Sequence, residues 1–504
     1  MVRKVGLFLV VSNVLWMAAC GSSGGGSSSS SITSVSVTCS PASISSGGTS
    51  QCSATVAGTG SFSQGVTWSS TAGSISSSGL FSAPQVTTNL LVTVTATSTQ
   101  DTTKSGTASV SVNPTTASSN VAPLIVDSGP DGTEANIAYT TVTVCVPGTT
   151  QCQTIDHVQV DTGSSGLRLL SNVLTIPLPQ ANDSSGNPLD ECLVFLDGFV
   201  WGPVKTADVT VAGESAGSVP VHVMIPSSSS PPVPGSCSSQ TSGTNEGGST
   251  SDFGANGLIG VGFFQQDCGY YCTTANSQVP PWYYDCPGSG CNPTYVTLQQ
   301  EVPNPVTMFS ADNNGVLIQL PSVPDGGSPT VSGSLIFGIG TESNNSLGSA
   351  NIYQVPNQNS NTNDLGDIIT TFNGQPYSLS FIDSGSNGLY FLDSSTSGIP
   401  TCTGFQNSSD WYCPTNSPEN LSATNQGQNN SGQGTGAATT VNFTIESAST
   451  LFQTSNSAWS TLAGPYGSSP VEFDWGLPFF YGRNVFTAID QATTPGGTGP
   501  YVAY

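Results

Sequence analysis

A chain of 504 residues with 36% apolar content is long enough to bury two or three separate cores. It carries 30 acidic residues against 6 basic ones, a balance that excludes nucleic acid and anionic lipid surfaces as partners of the folded part. A polar Ser/Thr/Asn surface with few lysines accounts for this charge. So does acid tolerance, because a chain with few bases gains little positive charge when its carboxylates protonate.

In chain order, the first element is MVRKVGLFLVVSNVLWMAAC, where Arg3 and Lys4 precede an apolar run too short to span a bilayer. Residues 1–20 read as a secretory signal. Cys20 follows Met17-Ala18-Ala19 and precedes Gly21 and a Gly/Ser tract, an arrangement that resembles a bacterial lipobox. The resemblance implies lipidation at Cys20 and a membrane anchor in the cell envelope, in the outer membrane rather than the inner where there are two. The plainer alternative is an ordinary signal peptide with an incidental cysteine.

Thirteen cysteines less Cys20 leave an even number in an exported chain, which predicts a disulfide framework. Local spacing pairs Cys39 with Cys52, Cys145 with Cys152 and Cys402 with Cys413, and leaves the other six open. Metal ligation by Cys268, Cys272, Cys286 and Cys291 is the weaker reading in an oxidising compartment, and no metal is expected.

Residues 21–34 read as a flexible Gly/Ser linker. Over 35–113, short β-branched segments alternate between Gly, Ser and Pro turns, with no helical signal, which predicts a β-sandwich. With Cys39, Cys52 and Trp68, this stretch resembles a bacterial immunoglobulin-like domain, although the two cysteines stand too close to be the inter-sheet pair of antibody domains. A second linker covers 114–123. The remainder is again strand-rich, with one short helix expected at PTYVTLQQEV, 293–302.

That remainder repeats itself. DTGSSGLRLL at 161–170 and DSGSNGLYFL at 383–392 align without a gap and share six of ten residues, which points to a duplicated unit. Each is an Asp-hydroxyl-Gly turn between two apolar strands, as a pair of lobes presenting two carboxylates requires. A third copy, Asp127-Ser128-Gly129, lies too near the first to head another lobe and reads as the turn that opens the domain.

At these residues the chain resembles the pepsin-like aspartic peptidases, from about residue 121 to the C-terminus. DTGSSGLRLL is similar to the family's first catalytic loop, and FLDGFVWGPVKTADVTVAG (195–213) falls where the family places its flap hairpin. FGANGLIGVGFF (253–264) resembles the stretch that braces the first loop. SLSFIDSGSNGLYFL resembles the second loop, and FDWGLPFFYGRNVFTAID (473–490) its brace. The chain is also similar to an uncharacterised family of exported bacterial proteins with DTGSxGLRL and DSGSNGL motifs. The resemblance implies an all-β protein, an Ig-like sandwich followed by a bilobal pepsin-like domain with lobes at 124–345 and 346–504.

It implies Asp161 and Asp383 as a catalytic pair, with no cofactor. Two carboxylates around one water cannot both ionise cheaply, so they share a proton; aspartic proteases are the standard example. Thr162 and Ser384 stand where the family cross-links its loops. Gly163 and Gly385 allow a tight backbone, and Ser164 and Ser386 stand ready to bond the outer carboxylate oxygens. The expected activity is hydrolysis of a peptide or protein substrate at acidic pH; the alternative is an inactive pepsin-fold binding or adhesion module.

Three departures from the family pattern stand out. The flap tyrosine and its tryptophan partner are replaced, at the best-matching positions, by Phe195 and Arg168. Arg168 is expected either to latch onto flap Asp197, beside Gly198, or to lie in solvent. Asp474 stands where the second brace normally carries an apolar residue. Other chemistries fit less well: neither histidine, His157 or His222, is accompanied by a G-x-S-x-G elbow, so a Ser-His-Asp hydrolase is not expected. Trp282, Tyr283 and Tyr284 read as aromatics packed by their own disulfide-tied loop rather than as cleft lining.

Overall fold

The computed structural model describes residues 30–504 apart from 46–47, 85, 87–88, 114–119, 196–197, 275–279, 289, 358–364 and 468–471. Cys20, the signal segment and flap residue Asp197 lie outside the described residues. The chain divides into two compact units, Met1–Thr116 and Ala117–Tyr504.

In the first unit, two four-stranded sheets face each other. One runs Ser31–Ser40, Thr49–Thr59, Leu80–Ser82, Ser74–Ile75; the other runs Ser43–Ser45, Ser105–Asn113, Leu90–Ser98, Val66–Ser70. LLVTVTATS buries alternate residues, so Val92, Val94 and Ala96 point inward while the residues between them stay at least partly exposed. Phe81, Val110 and Val112 complete the core with Val92 and Val94. Cys39 sits directly opposite Cys52 in the Ser31–Ser40 and Thr49–Thr59 pair, which places the disulfide within one sheet.

The second unit contains a fifteen-stranded and a seven-stranded sheet. Each holds one copy of the duplicated motif in the same ψ-shaped arrangement. In the first lobe, strand Cys152–Asp161 feeds the loop and Ser165–Leu170 leaves it. Between them runs the brace Gly257–Val261, parallel to the feeding strand and antiparallel to the exit strand. In the second lobe, Gln375–Ile382 feeds, Leu389–Phe391 leaves, and Phe473–Trp475 braces with the same two senses. The braces are the apolar segments expected from the sequence, and both are buried throughout.

The lobes are joined beneath by one continuous run of antiparallel pairs. Val121–Val126 pairs with Val331–Phe337, which pairs with Gly315–Gln319, then Asn484–Ala488, then Tyr501–Ala503. Non-local pairing of this kind fixes the two loops against each other from below. A large shared core, including Val160, Leu167, Ile259, Ile382, Leu389 and Trp475, lies behind both.

Among the described residues there are six disulfides, five of them local, Cys39–Cys52, Cys145–Cys152, Cys268–Cys272, Cys286–Cys291 and Cys402–Cys413, and one, Cys192–Cys237, closing a longer segment. The three local pairs expected from spacing are all present. Six bridges mark an exported, non-cytoplasmic protein. No helix among the described residues is long and apolar enough to cross a membrane.

The helix expected at 293–302 does not form. Its backbone is recruited elsewhere: Thr294 N–H donates to Tyr283 O and Val296 N–H to Cys272 O. Only a short 3₁₀ turn, Pro305–Met308, follows, opened by the Asn304 side chain accepting from Val306 N–H.

Candidate active site

Both Asp-hydroxyl-Gly loops meet at the seam between the lobes. Thr162 N–H donates to Ser384 Oγ at 3.2 Å, and Ser384 N–H donates to Thr162 Oγ1 at 2.9 Å. Each hydroxyl then reaches a carbonyl at the end of the opposite feeding strand, Ser384 Oγ to Val160 O at 2.8 Å and Thr162 Oγ1 to Ile382 O at 3.4 Å. Only a residue with a short side chain that both donates and accepts can make this reciprocal link. Thr162 and Ser384 therefore hold the loops together from inside.

The carboxyl groups lie directly above this link. Gly163 N–H reaches both inner oxygens, 2.6 Å from Asp161 Oδ1 and 3.0 Å from Asp383 Oδ1, so one backbone donor spans the pair. Gly385 N–H donates to Asp383 Oδ1 at 2.7 Å. The outer oxygens are held by serines: Ser164 Oγ to Asp161 Oδ2 at 2.5 Å and Ser386 Oγ to Asp383 Oδ2 at 3.0 Å.

The glycines are required by closeness. A Cβ at Gly163 would stand 2.8–2.9 Å from the Asp383 carboxyl, and one at Gly385 would stand 2.7 Å from Asp161 Oδ1. Burial, and then the negative charges of Asp161 and Asp474, push the Asp383 carboxyl well above the ordinary carboxylate range. Two carboxyls this close do not both ionise readily, so the pair shares a proton.

Two residues contribute that the motif alone did not single out. Gln159, on the first feeding strand, donates from Nε2 to Gly385 O at 2.8 Å, a second link across the seam. Asp474 is buried on the second brace, and neither of its carboxylate oxygens meets a hydrogen-bond partner of ordinary geometry. A glutamine amid the apolar run of HVQVD was a legible signal; nothing in the sequence showed where it points.

The flap expectations fare differently. A hairpin does form, Leu189–Val194 with Phe199–Val211, and Phe195 N–H donates to Gly198 O across its tip. The Phe195 ring packs 6.4 Å from that of Phe253. Arg168, however, does not lie in solvent, and its expected latch to Asp197 involves a residue outside those described. It is fully buried at the hairpin's base, with Nη2 bonded to Glu191 at 2.8 Å and to Asp267 at 3.1 Å and Nη1 donating to Ser165 O at 2.7 Å. An exit-strand side chain lying under the hairpin meets that hairpin's first strand, which is where Glu191 sits.

This cluster is closed and acidic. Tyr283 donates to Asp267 at 2.9 Å and accepts from Val302 N–H, while His222 Nδ1 lies 3.3 Å from Glu191 Oε2. Burial disfavours charge on every member, but the Arg168 guanidinium beside it holds Glu191 below its usual range, leaving it ionised. Burial and the Glu191 charge lift Asp267 well above its range, leaving it protonated. His222 is pushed down to about 4 by burial and is neutral. Ser165, which Arg168 grips, adjoins Ser164, so the cluster supports the first Asp-hydroxyl-Gly loop from behind.

Tyr283 and Tyr284 are both buried in the disulfide-tied region, as read from the sequence, Tyr284 edge-on to Trp201 at 5.2 Å. His157 lies beside Tyr139 at 5.0 Å and Asp127 at 3.4 Å, apart from the dyad. Asp127 itself caps its turn, accepting from Gly129 N–H.

Paired ψ loops presenting two linked carboxyls define an all-β, bilobal domain of pepsin-like architecture. The chain belongs to the family described as "Protein of unknown function (DUF3443)", whose model matches residues 116–504. No curated protein matches it. Among solved structures, a crystal structure of aspartic proteinase from Irpex lacteus is similar over 76% of this chain and 96% of that chain, at 14% identity and a TM-score of 0.43.

Proposed function

We propose that this chain is an exported, lipid-anchored hydrolase that cleaves peptide bonds with Asp161 and Asp383, favoured at acidic pH. The observation that carries the reading is the single Gly163 N–H reaching both inner carboxyl oxygens, which brings the two carboxyls together closely enough to share a proton. A water between the inner oxygens loses a proton to Asp161 as its oxygen attacks the peptide carbonyl carbon. Asp383 gives its proton to the carbonyl oxygen. Collapse of the tetrahedral adduct breaks the C–N bond: the proton taken up by Asp161 passes to the departing amine nitrogen, and one hydroxyl of the adduct returns its proton to Asp383 as the new carboxyl group forms. Ser164 and Ser386 keep both carboxyls oriented, and no metal or organic group enters the scheme.

Acid favours the reaction because one proton must be shared; once both carboxyls ionise, the electrophilic donor is gone. Incubation of an unstructured protein with the purified ectodomain between about pH 3 and pH 7 tests this, with Asp383→Asn as control. Cleavage that rises toward acid and vanishes in the variant supports the reading. A folded ectodomain that cleaves nothing overturns it and leaves a binding or adhesion module at the cell envelope. The anchor is tested separately, by loss of membrane association in Cys20→Ser.

A further inference from the structure

The hydroxyl of Ser386 has one proton, and it is committed to Asp383 Oδ2. What remains at that oxygen is its lone pairs. The Asp474 carboxyl, on the brace, lies near enough to the same hydroxyl to be influenced by it, yet makes no hydrogen bond of ordinary geometry with it. Its backbone lies opposite Phe381 on the feeding strand and Tyr390 on the exit strand, and the next residue, Trp475, accepts the Asp383 N–H through its carbonyl. Asp474 is 1% exposed and neither of its oxygens has a hydrogen-bond partner. An ionised carboxylate there would present lone pairs to lone pairs, in a buried site, with no compensation. A protonated one has a donor to offer.

Resting on the hydrolase reading above, we propose that Asp474 is a positioning residue that works as a neutral acid. It donates to Ser386, which donates to the outer oxygen of Asp383, and so holds the second catalytic carboxyl in a three-member relay. The first lobe has no counterpart: the matching register position there is Leu258, opposite Gln159.

The surroundings keep the proton on. Burial holds the Asp474 carboxyl well above the ordinary range; the Ser386 hydroxyl opposes this, and the charges of Asp161 and Glu472 add to it. The titratable groups around it are Asp383 and Asp161 from the two loops, Glu472 just before its own strand, Tyr377 and Tyr390 on the neighbouring strands, and Tyr466. All are acidic or phenolic. Asp474 loses its proton only as pH climbs, and its new charge then both breaks the donor link to Ser386 and adds to the negative field on the dyad. The alkaline fall of activity therefore reports Asp474 as well as the pair.

Three variants test the relay. Asp474→Asn keeps a neutral donor and cannot ionise; Asp474→Leu installs the first-lobe residue; Ser386→Ala removes the middle member. The expected result is that Asp474→Asn retains kcat at acid pH and carries its alkaline limb to higher pH, while Asp474→Leu and Ser386→Ala lose roughly tenfold in kcat with KM little changed. Infrared difference spectra at about pH 7 should show a protonated-carboxyl band that is lost in Asp474→Asn and displaced in Ser386→Ala. The relay is overturned if Asp474→Leu matches the parent, if the Asp474→Asn profile superimposes on the parent profile, or if no such band is lost. The infrared arm needs no substrate. If the parent cleaves nothing, the hydrolase reading fails while the spectra still decide whether Asp474 is the neutral donor.

Discussion

The two lobes build the same loop on different foundations. At the seventh residue after the aspartate, the first loop places Arg168 and the second Tyr390. Arg168 anchors a buried ionic cluster with Glu191, Asp267, Tyr283 and His222. Tyr390 instead bonds Asn387 and packs 5.6 Å from Trp411, and its strand is backed by rings of Phe391, Phe473 and Trp475. Loops of matching shape thus need rigid backing, and the chemistry of that backing is free to vary. The ionic version is the more brittle, because a buried charge that loses its partner has nothing to fall back on, whereas an aromatic layer loses only packing.

The largest difference should follow from breaking the ionic side. Arg168→Ala strands Glu191 and is expected to cost about 3–5 kcal/mol in unfolding free energy, read from urea denaturation. A smaller loss is expected at the seam, which both lobes share. Thr162→Val or Ser384→Ala each removes half of the reciprocal link and should cost on the order of 1–3 kcal/mol with a marked loss of activity. Near-equal losses in the two variants would show that the link is symmetric, as the paired 2.9 and 3.2 Å bonds imply.

A pH series separates the two backings further. Burial first raises Glu301, behind the first lobe, to about 8, and Asp190 on the hairpin to about 7. Both lie above their unfolded values, so the native state binds more protons through that window and stability falls as pH rises. His222, at about 4, acts oppositely and costs stability only as pH drops below its unfolded value of about 6.5. Between about pH 6.5 and 8 the carboxyls alone decide, and stability should fall, by up to ~2 kcal/mol from Glu301. Glu301→Gln keeps an acceptor for Gly269 N–H, a 2.6 Å bond in the parent, and should flatten that slope. An unchanged slope in the variant would move the effect elsewhere.

Much of this was legible in the sequence. The duplicated turn located both carboxyls, the two cross-linking hydroxyls and the two outer serines, because a short motif between apolar strands is a local signal. The braces followed from apolar-apolar-Gly runs, and three disulfides from spacing. Arg168 was visible as an oddity, but its partners Glu191 and Asp267 lie 23 and 99 residues away, and no periodicity links such distant charges. An acidic pair inside the apolar run LDECLV was the one clue. The expected helix at 293–302 failed for the same reason: long-range bonds to Tyr283 and Cys272 outweighed its local pattern. Asp474 stood out as a departure, whereas its need for a proton depends on where Ser386 spends its own.

The central claim is that two lobes make one site. Cleavage of an unstructured protein at acid pH should be measured side by side for the parent ectodomain, Asp161→Asn, Asp383→Asn and the double variant, all shown to be folded. Each single variant should lose at least ~10³-fold in kcat, and the double should lose little more than either, because residues acting as a unit are not additive. A single variant that keeps substantial activity, or losses that simply multiply, would contradict a shared dyad.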